Sequence, residues 1–242
     1  MANIPTAWLR PPQDQMAAML GGVLNNSILD KVAAMFGALF VHVRGLPMFS
    51  FLLGYGVGML ALSLHRRGYP SLQARKVLIR RYGFLAFFGF LHSFFIFFGD
   101  IMFSYGVLGI FLVLMMRWRT QSLIVVAITL YSMYALSMMA VALTTVFMPD
   151  GGFALPQPTV GFRLPVTWNE YVISGVYATF NQFTILIPSF FFLLPLMMMG
   201  FVAARHQVLE KPQEHLKLLK TTVAVGVLVI LVVGIPWGLS EL

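Results

Sequence analysis

Long apolar runs separated by short polar loops dominate this chain. Six stretches, at roughly 46–64, 82–98, 101–116, 121–148, 183–204 and 221–238, approach the ~20 apolar residues that a helix needs to cross a bilayer core. Only Gly99 and Asp100 separate the second and third. That spacing predicts a tight helical hairpin, or helices that stop short because the chain turns inside protein. The fourth run is long enough to tilt or to extend past the membrane. Two further segments have helical period but suit the interface better. In "SILDKVAAMFGALFVHVRG", Ile28, Val32, Met35, Phe36, Leu39, Phe40 and Val43 share one face, Ser27 and Asp30 fit a capping box, and Gly45 and Pro47 end the run. In "WNEYVISGVYATFNQF", Thr167 and Glu170 fit the same box, and Trp168, Tyr171 and Tyr177 suit a headgroup layer. The pattern predicts an all-α, polytopic transmembrane bundle of about six spans plus two interfacial helices. A polar segment over 1–27 would precede a transmembrane domain over 28–242.

Composition agrees. The 242 residues are 59% hydrophobic and 10% charged, against about 25% charged in soluble domains, so a soluble fold would lack the polar surface to cover itself. The net charge of +8 does not indicate a nucleic-acid partner, because the basic residues sit in loops between apolar runs. Arg66, Arg67, Arg75, Lys76, Arg80 and Arg81 fall in 65–81, Arg117 and Arg119 in 117–120, and Arg205, Lys211, Lys217 and Lys220 in 205–220. If each run crosses once, these lie on one side, the cytoplasmic one by the positive-inside rule. Residues 1–45, Asp100 and 149–169 then face outward. "MANIPTAWLRPPQDQ" has no basic start and no early apolar core, so it is not a signal peptide. An outward start without one is expected to follow a preceding in-to-out span. There is no cysteine, which excludes disulfides and thiolate metal sites.

Two stretches, "RGLPMFSFLLGYGVGM" at 44–59 and "RRYGFLAFFGFLHSFFIFFGDIMFSYGVLG" at 80–109, resemble the YeiB family of bacterial multi-pass membrane proteins. The matching residues are Arg80, Arg81, Gly89, Leu91, His92, Gly99, Asp100, Ile101 and Tyr105, with Met102 where the family usually has leucine. The resemblance covers about 30–240. It implies the bacterial cytoplasmic (inner) membrane and a domain of largely undefined function, distantly similar to transmembrane acyltransferases. Those enzymes move an acyl group from cytosolic acyl-CoA to a sugar or lipid-linked acceptor across the bilayer. Typical members have a further span before this region and further helices after it, so the chain reads as part of a longer one.

Each candidate residue has an ordinary reading beside the chemical one. His92 lies about ten residues into the second run, roughly 15 Å deep. It is either a structural imidazole bonded to a neighbouring helix or a general base or acyl carrier, and intramembrane ionisable groups lean toward function. Asp100 either caps the helix that follows or orients a catalytic imidazole. Eight residues of helix rise about 12 Å, so His92 and Asp100 are not a local pair. Arg44, beside His42, would pair with Asp100 or bind an acceptor, and Tyr105 completes the motif as a substrate contact. Gly54, Gly56 and Gly58 fit close helix packing. Arg80 and Arg81 would meet anionic lipid, or the phosphates of an acyl-CoA. His206 and His215, with Glu210 and Glu214, match no metal signature. Ser104, Ser132 and Ser137 have no histidine beside them in sequence. The leading expectation is an acyltransferase-like membrane enzyme with acyl-CoA as co-substrate, no firmly bound cofactor and no metal. A transporter or channel using His92 and Asp100, and a non-catalytic membrane scaffold, remain as alternatives.

Overall fold

In a computed structural model, residues 28–36, 39–40, 45–95, 101–147 and 167–236 are described. Helices account for nearly all of them, and no strand occurs among the described residues. In chain order the α-helices are α1 (Ile28–Phe36), α2 (Gly45–Arg66), α3 (Ser71–Phe95), α4 (Met102–Leu114), α5 (Thr120–Phe147), α6 (Trp168–Arg205) and α7 (Leu216–Val229). Among the described residues, four helical stretches are long and apolar enough to cross a membrane: Gly45–Arg66, Thr120–Thr144, Phe183–Arg205 and Pro212–Val233. The two other expected spans fall on α3, whose first half is strongly basic, and on α4, which has 13 residues. At 1.5 Å per residue α4 is about 20 Å long, short of the ~30 Å hydrocarbon core.

The chain divides into two compact units, and the division falls inside α2, between Phe49 and Ser50. The unit formed by Ser50–His206 is built on the α3–α4 hairpin. α6 packs on α3, α4 and α5. Its Phe183–Arg205 stretch is half buried, whereas only 6% of the apolar stretch of α5 is buried. α6 is therefore the central helix, and α5 packs on it while leaving most of its own surface exposed. Exposed Phe84, Phe87, Phe88, Val125, Ile128, Leu136 and Met139 make an apolar exterior that only a bilayer would solvate favourably.

Three sequence expectations change. The stretch 65–81 is not one loop. α2 ends at Arg66 with Gly68 at φ 77°, the Gly68 N–H donates to His65 O at 3.0 Å and the Tyr69 N–H donates to Leu64 O at 3.1 Å, a paired closure that needs a left-handed residue. Pro70 then starts α3, its carbonyl accepting from the N–H groups of Gln73 and Ala74. Ala74, Leu78 and Tyr82 recur every four residues on the buried face, so the basic residues ride on the other faces of a helix. Second, 168–183 is not a separate interfacial helix but the first half of α6. The expected capping box opens it: Glu170 N–H donates to Thr167 Oγ1 at 3.2 Å, and Thr167 N–H to Glu170 Oε2 at 3.4 Å. Pro188 and Pro195 lie inside α6 without ending it. Third, Gly45 and Pro47 fall in the first turn of α2 rather than only closing the helix before it.

The other unit holds 1–49 and 207–242. Of the first amphipathic segment, Ile28–Phe36 is helical, and the rings of Phe36 and Phe40 meet at a tilt of 40° with centres 5.2 Å apart. The Ser27 end of its expected cap lies outside the described residues. A 3₁₀ turn (Pro212–His215) leads into α7, which has no buried residue, and a π turn over Ile230–Gly234 follows. Lys211 and Glu214 pair at 3.1 Å with both side chains exposed, a contact of small energetic weight.

Candidate functional site

The hairpin holds four of the candidate residues, Arg80, Arg81, His92 and Tyr105, and small residues set its register. A Cβ on Gly89 would collide with the backbone of Met102 and Phe103, and one on Gly106 with the backbone of Ala86. The two backbones therefore approach more closely than any larger side chain would allow. The same approach places His92 near the end of α3 that leads to α4.

His92 lies in the last turn of the described part of α3. α3 begins at Ser71, eleven residues before the apolar run that starts at 82, and its described part ends at Phe95. His92 is half-buried and its Nδ1 is closed off from solvent. The next residue, Ser93, is buried against Thr179 of α6, whose hydroxyl lies 3.4 Å from the Ser93 hydroxyl and donates to Gly175 O at 2.7 Å. Gly175 in turn sits against Phe94 O with no room for a Cβ. His92 thus borders a small hydroxyl-lined seam between α3 and α6, set in an otherwise apolar bundle.

Tyr105 projects from the first turn of α4 into the core, where it is 1% exposed. Its hydroxyl is 2.9 Å from the hydroxyl of Ser50, which is fully buried on α2. A buried bond of this kind contributes roughly 0.5–1.5 kcal/mol net. Tyr105→Phe is expected to cost about 1 kcal/mol by that measure, and Ser50→Ala in the same background little more. Thermal unfolding of the two single variants and the double variant in detergent checks this coupling.

Arg80 and Arg81 are exposed on α3. They precede His92 by twelve and eleven residues, roughly 18 Å along a helix. The structure does not bring them together with His92. Asp100, Arg44 and His42 lie outside the described residues. Gly54 and Gly58 pack closely as expected, against Met197 and against Ala204 of α6, whereas Gly56 has nothing within 4 Å.

Ser50, Ser93 and Thr179 were not singled out from the sequence. A lone hydroxyl residue in an apolar run gives little signal, because Ser and Thr can satisfy themselves on the preceding turn. Arg205 was counted as a loop charge. It is the last residue of α6, and its guanidinium donates to Met116 O at 2.7 Å, Trp118 O at 2.9 Å and Thr120 Oγ1 at 3.1 Å, while lying 4.7 Å from the centre of the Phe201 ring. It closes the carbonyl end of α4, where a cation is favoured by the helix dipole, and ties it to the start of α5. The ends of α2, α4 and α6 and the start of α3 accordingly gather at one end of this unit, with Arg66, Arg67, Arg117, Arg119 and Arg205 among them.

No family model matches the chain, and no solved structure matches it. Among curated proteins it is similar to the uncharacterized protein YxaH of Bacillus subtilis (strain 168), at 25% identity over 247 residues. The match covers 92% of this chain and 58% of that protein. The chain therefore spans less than two thirds of the length of that relative.

Proposed function

We propose that this protein is an acyltransferase-like enzyme of a bacterial inner membrane, moving an acyl group from acyl-CoA to a sugar or lipid-linked acceptor. The observation that carries the reading is His92, a half-buried imidazole beside the Ser93–Thr179 hydroxyl seam in an apolar helix bundle. Ionisable groups at such positions are expensive and mark function by default. The YeiB-like motif around it and the one-sided basic residues support the same reading.

His92 takes the proton of the acceptor hydroxyl as its oxygen bonds to the acyl carbonyl carbon. The carbon–sulfur bond then breaks, its electron pair stays on sulfur, and the imidazolium returns the proton to that thiolate. Arg80 and Arg81 hold the donor phosphates, which requires the donor arm to run roughly 18 Å along α3 to reach His92. Asp100 and Arg44 belong to the acceptor side, and Tyr105 braces the site through Ser50.

The test is transfer of label from radiolabelled acetyl-CoA to glucosamine by the protein in proteoliposomes. His92→Ala is expected to lower the rate by about 10²-fold or more, the usual contribution of a general base. Equal rates for wild type and variant would remove His92 from the mechanism. Proton or solute flux without acyl-CoA, lost in His92→Ala, would replace the reading with a transport one, with which the two prolines inside α6 are compatible.

A further inference from the structure

At the basic end of the unit Ser50–His206, a cavity of about 190 Å³ is lined by Gly58, Ala61, Leu62, His65, Tyr69, Ser71, Ala74, Met116, Phe201 and Arg205. Gly58, Ala61, Leu62 and His65 are one face of α2, and Phe201 and Arg205 are one turn apart on α6. The inner wall is apolar and the polar groups collect at one side. His65, Tyr69 and Ser71 are exposed and form the mouth, while Arg205 is half-buried. No carboxylate is among the lining residues.

From these features we propose that the cavity binds a phosphate group, carried either by a lipid headgroup or by a soluble phosphate compound. Three donors of Arg205 are used on Met116 O, Trp118 O and Thr120 Oγ1, with both from Nη1 and one from Nη2. The Nε–H and one Nη2–H remain without a partner among the described residues. Guanidinium donors of this kind suit phosphate oxygens, and fixing the rest of the group to backbone carbonyls pre-organises them. The first N–H groups of α3, at Ser71 and Leu72, add partial positive charge at the mouth, and the Tyr69 and Ser71 hydroxyls and the His65 imidazole supply further donors there. The size of the cavity limits how much of the ligand it encloses. The volume lies below the ~300–1,000 Å³ of pockets that enclose whole drug-sized ligands. The cavity therefore admits a phosphate and its immediate substituent, and the rest of the molecule extends out through the mouth or along the apolar surface. The site does not depend on the acyl-transfer reading, because Arg80, Arg81 and His92 are not part of its lining.

The test is a thermal shift of the purified protein in detergent with three probes: dioctanoyl phosphatidylglycerol, dioctanoylglycerol without phosphate, and inorganic phosphate. Stabilisation by phosphatidylglycerol but not by dioctanoylglycerol is expected. Inorganic phosphate giving little effect identifies the lipid source, and an equal effect identifies a soluble phosphate compound. Ala61→Phe, which fills the cavity, and His65→Asp, which puts an anion at its exposed mouth, are each expected to raise the half-effective concentration at least tenfold. Neither touches the hydrogen bonds of Arg205. His65 is on the surface, so His65→Asp keeps the test open if Ala61→Phe does not fold. A phosphatidylglycerol response unchanged in His65→Asp, or absent in the wild type, would overturn the proposal.

Discussion

Gly54→Ala is expected to destabilise the protein by about 2–3 kcal/mol, near the top of the usual range for overpacking by a methyl group. The added Cβ would meet the backbone of Met197, including its carbonyl. A side chain could rotate away from such a contact, whereas the backbone of a central helix cannot, so α2 and α6 would have to separate. Their separation would also loosen the contact of Gly200 with the backbone of Phe51 and Tyr55. Gly56→Ala supplies the control, because a Cβ there meets nothing within 4 Å. It keeps only the gain in helix propensity, at most about 1 kcal/mol. Unfolding midpoints of both variants in mixed detergent micelles separate the two effects. Equal midpoints would mean that α2 and α6 do not approach as closely as described.

Arg205→Met is expected to cost about 2–3 kcal/mol. It removes three charge-assisted hydrogen bonds, and bonds to charged groups contribute about 1.5–3 kcal/mol each when dry. Arg205 is half-buried rather than dry, so the sum is discounted to about that of one such bond. The larger consequence is geometric. Met116 and Trp118 lie in the short connection between α4 and α5, and their carbonyls lose the donor that holds this connection to the end of α6. Arg205→Lys restores the charge but not the planar fork, and is expected to recover less than half of the loss. Phe201→Leu isolates the ring contact, at roughly 0.5–1 kcal/mol. Hydrogen exchange of the amides at 115–119 reads the same event locally, and protection unchanged in Arg205→Met would show that this connection is held by other means.

The polar cavity at the basic end and the hydroxyl seam at His92 lie at opposite ends of α3, joined by a helix of 25 residues. In a bilayer that length, about 37 Å, exceeds the hydrocarbon core. The acyl-transfer reading needs communication between those ends, and the phosphate site needs only one of them. The experiments above can consequently fail independently.

What was legible from the sequence follows from local physics. The helical class, the four strongly apolar helices and the box opening α6 come from hydrophobic runs and from capping side chains that reach three residues along the chain. The packing role of Gly54 and Gly58 was legible for the same reason, since small residues four apart have few other uses in an apolar helix. Charge misled where period should have decided. The basic residues of 65–81 suggested a loop, but Ala74, Leu78 and Tyr82 repeat at helical spacing, and burial of that face outweighs the cost of keeping charges on the others. The partners of Tyr105, Ser93 and Arg205 are separated from them in sequence by 55, 86 and 85 to 89 residues. No periodicity records contacts of that range. The sequence by itself determined which segments are helical and apolar. Only the tertiary structure decided which hydroxyls meet in the core and that a loop arginine closes a helix end, because those pairings exist only once separate helices have packed.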